Sequence, residues 1–333
     1  MKAAGRIKMS RLQRPKILVI GELNIDIVAT GLHSMPEMGA EILAENCELT
    51  LGSASAIFAA GMAKLGNHVT FLGHVGHDYL GDFCLRALKQ SGVSTRYVTR
   101  KADERTGVTI ALSGKRDRAL VTYAGAVATL TADSIDEKMM TRQDHLHLTS
   151  YYLQTGLRPS FGPLLQHAKA LGLTTSFDPN SDPNDKWDKN IDEVLNYTDV
   201  LFVNEREAMK LTRSKTLNRA LKTLGGKVNC AVVKRGAGGA TAIQSEKICN
   251  ASGFKVSAID TTGAGDTFDA GFMWAYLRQA PLAECLRIGN ACGALSTISA
   301  GGTAGQPTQR ELQEFIRANT DADDSKPAKR ATA

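Results

Sequence analysis

From residue 145 onward the chain repeats one pattern: short apolar runs at 145–149, 173–178, 199–203 and 230–234, with an amphipathic stretch at 159–171 after the first. The runs read as buried strands and the stretch as a helix. Parallel strands need a crossover, and the crossovers bury both faces of the sheet. This alternation therefore calls for a parallel sheet covered by helices on both sides. Residues 16–20 form a further apolar run, which leads into Gly21-Glu22-Leu23-Asn24-Ile25-Asp26. In a doubly wound sheet the ligand lies beyond the carboxyl ends of the strands, so Asn24 and Asp26 are binding candidates. The expected fold class is α/β, with a doubly wound, mostly parallel sheet flanked by helices. Runs at 41–51, 107–112 and 119–123 also read as strands. They predict either a small accessory sheet or an extension of the main sheet's edge.

At 333 residues the chain can bury a large core, as one domain with a small appendage or as two domains. Formal net charge is +6, but Lys2, Arg6, Lys8, Arg11, Arg14 and Lys16 crowd the start with no acid among them. The body is nearly neutral, which argues against a nucleic-acid footprint on a folded face. Residues 1–15 read as a basic tail, 16–319 as the folded domain, and 320–333 as a polar, disordered tail. No apolar run approaches a membrane span. Six cysteines without a C-x-x-C pair read as reduced, mostly buried thiols, so a cytoplasmic location is expected.

The chemistry centres on residues 260–272, Asp-Thr-Thr-Gly-Ala-Gly-Asp-Thr-Phe-Asp-Ala-Gly-Phe. A strand-like run at 254–259 precedes it, and Phe268, Phe272, Ala275 and Tyr276 follow at helical spacing, which places residues 263–266 on a strand-to-helix turn. The first N–H groups of a helix have no internal partner, and two glycines allow close approach, so the turn suits a phosphate. A carboxylate at that place would repel a phosphate, but it makes sense as a base. A hydroxyl held between Asp266 and a phosphoryl group could lose its proton to the carboxylate while the N–H groups take up developing charge.

Over this many positions the run resembles the C-terminal signature of the ribokinase-like, or PfkB-type, carbohydrate kinases. The resemblance implies that Asp266 is the catalytic base and that Gly263, Ala264 and Gly265 form the anion hole. It implies that Asp26, in a Gly-x-x-x-x-Asp after the first strand, holds sugar hydroxyls. It also implies that strands within roughly 27–51 and 106–125 form a lid over the acceptor and a homodimer contact. The segment 52–66 matches the family's N-terminal signature at Gly52, Leu65 and Gly66, but Ser53 replaces its second glycine and Ile57 replaces an Asn that contacts sugar. On its own this segment reads as a buried helix with a serine near its start.

Asn204-Glu205-Arg206-Glu207 is a helix start by its Asn-x-x-Glu spacing. By resemblance, Asn204 and Glu207 organise Mg2+ and phosphate through water. Lys234, Gly236 and Gly239 resemble the nucleotide-edge loop, which otherwise reads as a hairpin turn. Asn290 and Gly302 resemble the adenine-side wall, and Asp260 and Thr262 the flank of a K+ site. Asp78 reads as a helix cap, and His74 and His77 lack the further ligands that a zinc site needs. The function expected from all this is ATP- and Mg2+-dependent phosphorylation of a primary hydroxyl on a sugar or sugar acid. A nucleoside acceptor is the alternative within the fold, because Ile57 and Phe58 could face a base. A silent sugar-binding protein is the alternative outside it.

Overall fold

The computed structural model describes residues 14–114, 118–188 and 190–324. In chain order it runs β1 (Lys16–Ile20), β2 (Asn24–Leu32), β3 (Asn46–Leu51), α1 (Ala54–Lys64), β4 (His68–Gly76), α2 (Tyr79–Gln90), β5 (Ser94–Lys101), β6 (Gly107–Gly114) and β7 (Arg118–Tyr123). The second half runs β8 (His145–Thr149), α3 (Phe161–Ala170), β9 (Thr174–Asp178), α4 (Ile191–Asn196), β10 (Val200–Asn204), α5 (Glu205–Thr212), α6 (Leu217–Gly225) and β11 (Cys230–Lys234). The hairpin strands β12 (Ala240–Gln244) and β13 (Lys247–Ala251) follow, then α7 (Ala264–Tyr276), α8 (Leu282–Ser296) and α9 (Gln309–Asp324).

Nine strands form the main sheet in the order β13-β12-β11-β10-β9-β8-β1-β4-β5. All neighbours from β5 to β11 pair in parallel, and at one edge β12 pairs antiparallel with both β11 and β13. Strand order reverses at β1, between β4 and β8, so the crevice of a doubly wound sheet opens at its carboxyl end. Alternation along β1 builds both layers of the core. Ile17 and Val19 join Phe58, Phe268 and Phe272 on one face, while Leu18 and Ile20 join Leu146, Phe161 and Phe177 on the other.

The accessory strands form a separate sheet, β3-β2-β6-β7, and so do not extend the main sheet's edge. Its strand β2 was not expected: Asn24 and Asp26 lie within it and not on a loop. Their polarity hid the strand, because both are i, i+2 neighbours on one face while Ile25 enters the core from the other. The strand expected over 41–51 begins only at Asn46.

The run at 254–259 is not a strand. Phe254 packs on Phe315 with ring centroids 5.1 Å apart, Val256 and Ala258 line a cavity, and the N–H groups of Ile259 and Asp260 donate to the Thr297 carbonyl at 2.7 and 3.2 Å. Its alternating residues therefore face a cavity wall and a helix end, not a sheet. Helix α9 continues to Asp324, past the boundary expected at residue 319, and the basic residues up to Arg11 lie outside the described residues. Asp78 caps α2, accepting the Gly81 N–H at 2.8 Å, and His74 is buried with Nδ1 3.0 Å from the Thr129 hydroxyl. All six cysteines are free thiols, and no helix among the described residues is long and apolar enough to cross a membrane.

Candidate active site

A cavity of about 930 Å³ lies between the carboxyl end of the main sheet and the accessory sheet. All but three of the site residues expected from sequence line it: Asn24, Asp26, Ser53, Ile57, Asn204, Glu207, Lys234, Gly236, Gly239, Thr262, Gly263, Ala264, Gly265, Asp266 and Asn290. Gly52, Asp260 and Gly302 lie directly behind this lining and shape it through the contacts described below.

The turn at the start of α7 has the expected form, although a loop and not a strand leads into it. Gly263 takes the N-cap position in the left-handed region, with φ 69°. A side chain there would also strike Gly302, whose Cα lies 2.9 Å from the position of the missing Cβ. Thr267 donates the first intrahelical bond, to the Gly263 carbonyl at 2.9 Å, so the N–H groups of 264–266 precede the ladder. The Ala264 N–H leans back to the Thr261 carbonyl at 3.3 Å. Asp266 is the single acid of that first turn and is half-buried. Asp260 ties the turn to the next loop: one oxygen accepts from the Thr262 N–H and hydroxyl at 2.9 and 2.8 Å, the other from the Gly301 N–H at 2.9 Å.

At the other pole, Gly52 makes room for Asp26, because a Cβ on Gly52 would overlap the Asp26 carboxylate. Asn24 Nδ2 donates to Asp26 Oδ1 at 3.2 Å and to the Thr109 hydroxyl of the accessory sheet at 3.2 Å. Ser53 keeps the left-handed φ of 77° that a glycine would adopt freely, and it does not cap α1. Its hydroxyl donates instead to the Glu22 carbonyl. Ile57 is only 3% exposed and presses its Cδ1 against the backbone at Gly302 and Gly263, so it shapes the wall from behind.

Asn204 and Glu207 form a complete capping box. Glu207 N–H donates to Asn204 Oδ1 at 2.9 Å, and Asn204 N–H to Glu207 Oε2 at 2.8 Å. The other oxygen of Glu207 accepts from Ser181 at 3.0 Å, and burial, with Asp178 adding to it, raises this carboxyl above its ordinary range. Gly236 has φ 54° and open space where a side chain would point, as an approaching ligand requires. Gly239 serves its own hairpin instead, because a Cβ there would strike the carbonyl of Ala251 on β13. Asn290 Nδ2 donates to the carbonyls of Ala251 and Ser252, both at 3.1 Å, and so fixes the wall behind the cavity.

Two features escaped sequence reasoning. Glu22 is buried at the end of β1 and accepts from Ser55, Thr149, Ser150 and Gln154. Asn180 Nδ2 in turn donates to Ser150 at 2.8 Å. The second is the carboxylate cluster around Lys234, which is largely buried, with Nζ 2.6 Å from Asp178 and 3.0 Å from Asp269. Burial opposes its charge, but Asp178, Asp269 and Asp266 together hold the ammonium above its ordinary value. Asp269 is pushed up by burial and by Asp178 against the pull of Lys234, as expected where several carboxylates share one cation. The signal for both features was an acidic residue at the carboxyl end of a strand, Glu22 after β1 and Asp178 closing β9.

The family model for pfkB family carbohydrate kinases matches residues 14–309. A ribokinase from Haemophilus influenzae is 28% identical over 315 residues, which cover 91% of this chain and 99% of the relative. An ATP-dependent ribose-1-phosphate kinase from Halopiger xanaduensis is 30% identical over 304 residues, covering 90% and 98%. A solved structure from E. coli, assigned as a ribokinase II and holding ATP and Mg2+, is 25% identical with a TM-score of 0.81 and covers 91% of this chain and 99% of that one.

Proposed function

This chain belongs to the pfkB family of carbohydrate kinases, and we propose that it transfers the γ-phosphoryl group of ATP to a primary hydroxyl of a sugar or sugar acid. The observation that carries this reading is Asp266 standing in the first turn of α7, on the wall of the same cavity that Asp26 lines. Asp26 and Asn24 hold acceptor hydroxyls. Asp266 takes the proton from the attacking hydroxyl as its oxygen bonds to the γ-phosphorus and the bond to the bridging oxygen of ADP breaks. The N–H groups of the Gly263, Ala264 and Gly265 turn take up charge on the phosphoryl oxygens, helped by the helix N-terminus.

The oxygen-rich pair Asn204 and Glu207 suits a hard divalent cation held through water, since Mg2+ keeps several waters when ATP supplies further ligands. Bound Mg2+ neutralises charge on the phosphates. Gly236 admits the nucleotide at the hairpin edge, and Asn290 and Gly302 back it.

Charge around the acceptor favours a neutral sugar. Glu22 and Asp26 line the cavity, and its cations among the described residues are Lys234, already paired, and Lys255 beside Val256. A nucleoside is the second reading, favoured by Ala111, Leu120 and Val127 on the lining. ADP release across a panel of sugars, sugar acids and nucleosides tests all three. A sugar should give the fastest turnover, turnover with nucleosides alone would favour the second reading, and binding without ADP release would leave a sugar-binding protein.

A further inference from the structure

Three carboxylates meet beside the α7 turn. One oxygen each from Asp178, Asp266 and Asp269 lies within 4.8 Å of the others. Like charges at that spacing need a cation, and the chain supplies its own. Lys234 Nζ sits 2.6 Å from Asp178 and 3.0 Å from Asp269, and a Cβ on Gly265 would lie 3.2 Å from it, so the ammonium lies under the turn that carries Asp266.

We propose that Lys234 is a positioning residue for Asp266: its ammonium, clamped by Asp178 and Asp269, keeps the neighbouring Asp266 carboxylate ionised and in place, and does not serve the phosphates of ATP. This rests on Asp266 being the base. On this reading Lys234, expected near the phosphates, gives its two shortest contacts to carboxylates. A phosphate ligand would have to leave them.

The charged groups packed around Asp266 among the described residues come from several elements. Lys234 comes from β11, Asp178 from β9 and Asp269 from one turn further along α7. Glu207 on α5 lies beyond them, near enough to feel Asp178 and Lys234. On α1 the only charge is Lys64 at its far end, bonded to the Thr303 carbonyl, and on α8 Glu284 and Arg287 pair with each other. Among the described residues, Lys234 is the cation clamped into this carboxylate cluster, and Lys255 lies elsewhere on the cavity lining.

The test needs no acceptor. The Asp266 carboxyl is titrated by carbon NMR on aspartate-labelled protein, its signal assigned by its loss in Asp266→Asn, and affinity for ATP with Mg2+ is measured by calorimetry on the same samples. Lys234→Met should raise the Asp266 pKa by about one pH unit or more, the usual scale for a carboxylate that loses an adjacent cation. Asp178→Asn should move it the opposite way, a pairing of signs that general loosening would not produce. If Lys234→Met does not fold, Lys234→Gln, which loses the charge and keeps a polar head, takes its place. ATP affinity in Lys234→Met should stay within about threefold. An Asp266 pKa that does not rise when the Lys234 charge is removed, or a loss of ATP affinity of about tenfold or more, overturns the proposal. Turnover of Asp266→Asn judges the base assignment separately, so the two failures are distinguishable.

Discussion

Gly52 and Asp26 occupy one space: the Asp26 carboxylate fills the volume where a side chain on Gly52 would begin. The two are brought together by antiparallel pairing of β2 with β3, in which Asp26 faces Thr50 and the chain then turns into α1. If Asp26 anchors the acceptor, Gly52→Ala must push that anchor aside. KM for the acceptor should rise by about tenfold or more, while ATP affinity stays as it was. Steady-state kinetics on the best acceptor of the panel check this.

Three buried histidines give the fold an acid-sensitive flank. Burial lowers His74 to about 4 and His145 to about 3, and holds His147, stacked on Phe58 at 3.5 Å, well below its ordinary value. The unfolded chain takes up protons near pH 6.5 that the fold refuses, so stability is full above that pH and falls as pH drops toward 4. Each histidine contributes about 1.4 kcal/mol per pH unit in that window. Denaturant titrations between pH 7 and 5 should show stability rising with pH. His145→Gln, which keeps a partner for Thr174 and Ser176, should flatten the slope, and an unchanged slope would contradict the assignment.

What could be read from sequence was local. The Asp78 cap and the Asn204–Glu207 box span three residues each, and the turn at 263–266 is contiguous. The strand alternation was legible because each buried run is short and apolar. The remainder depended on partners distant in the chain: Lys234 meets Asp178 across 56 residues, and Ser150 meets Glu22 across 128. Each of those residues alone looks like an ordinary strand-end polar group. Strand β2 was hidden for a related reason, since its polar residues face a cavity and broke the apolar pattern. Ile57, in place of a sugar-contacting Asn, was expected on the acceptor; it lines the cavity, and its contact with Gly263 and Gly302, which the sequence could not show, also supports the turn.

Asp260 joins the loops on either side of the K+ site that we propose at Asp260 and Thr262. Asp260→Ala removes the acceptors for the Thr262 N–H and hydroxyl and for the Gly301 N–H, and should cost on the order of 1 to 3 kcal/mol of stability. Exchanging sodium for potassium should speed the wild-type enzyme and leave Asp260→Ala unaffected. Equal rates in both salts would remove the cation from the account.

The central claim is that Asp266 is a base and not merely an acidic partner for the start of α7. Asp266→Asn keeps the size and most hydrogen bonding of the side chain while removing its capacity to take a proton. Turnover and thermal stability measured on the same sample of this variant separate the two roles. A base predicts a fall in kcat of about 10² to 10⁴-fold or more, with ATP and acceptor bound nearly as before. A mere dipole partner predicts a stability loss of about 1 kcal/mol or less and a kcat close to wild type, and that result would contradict the mechanism.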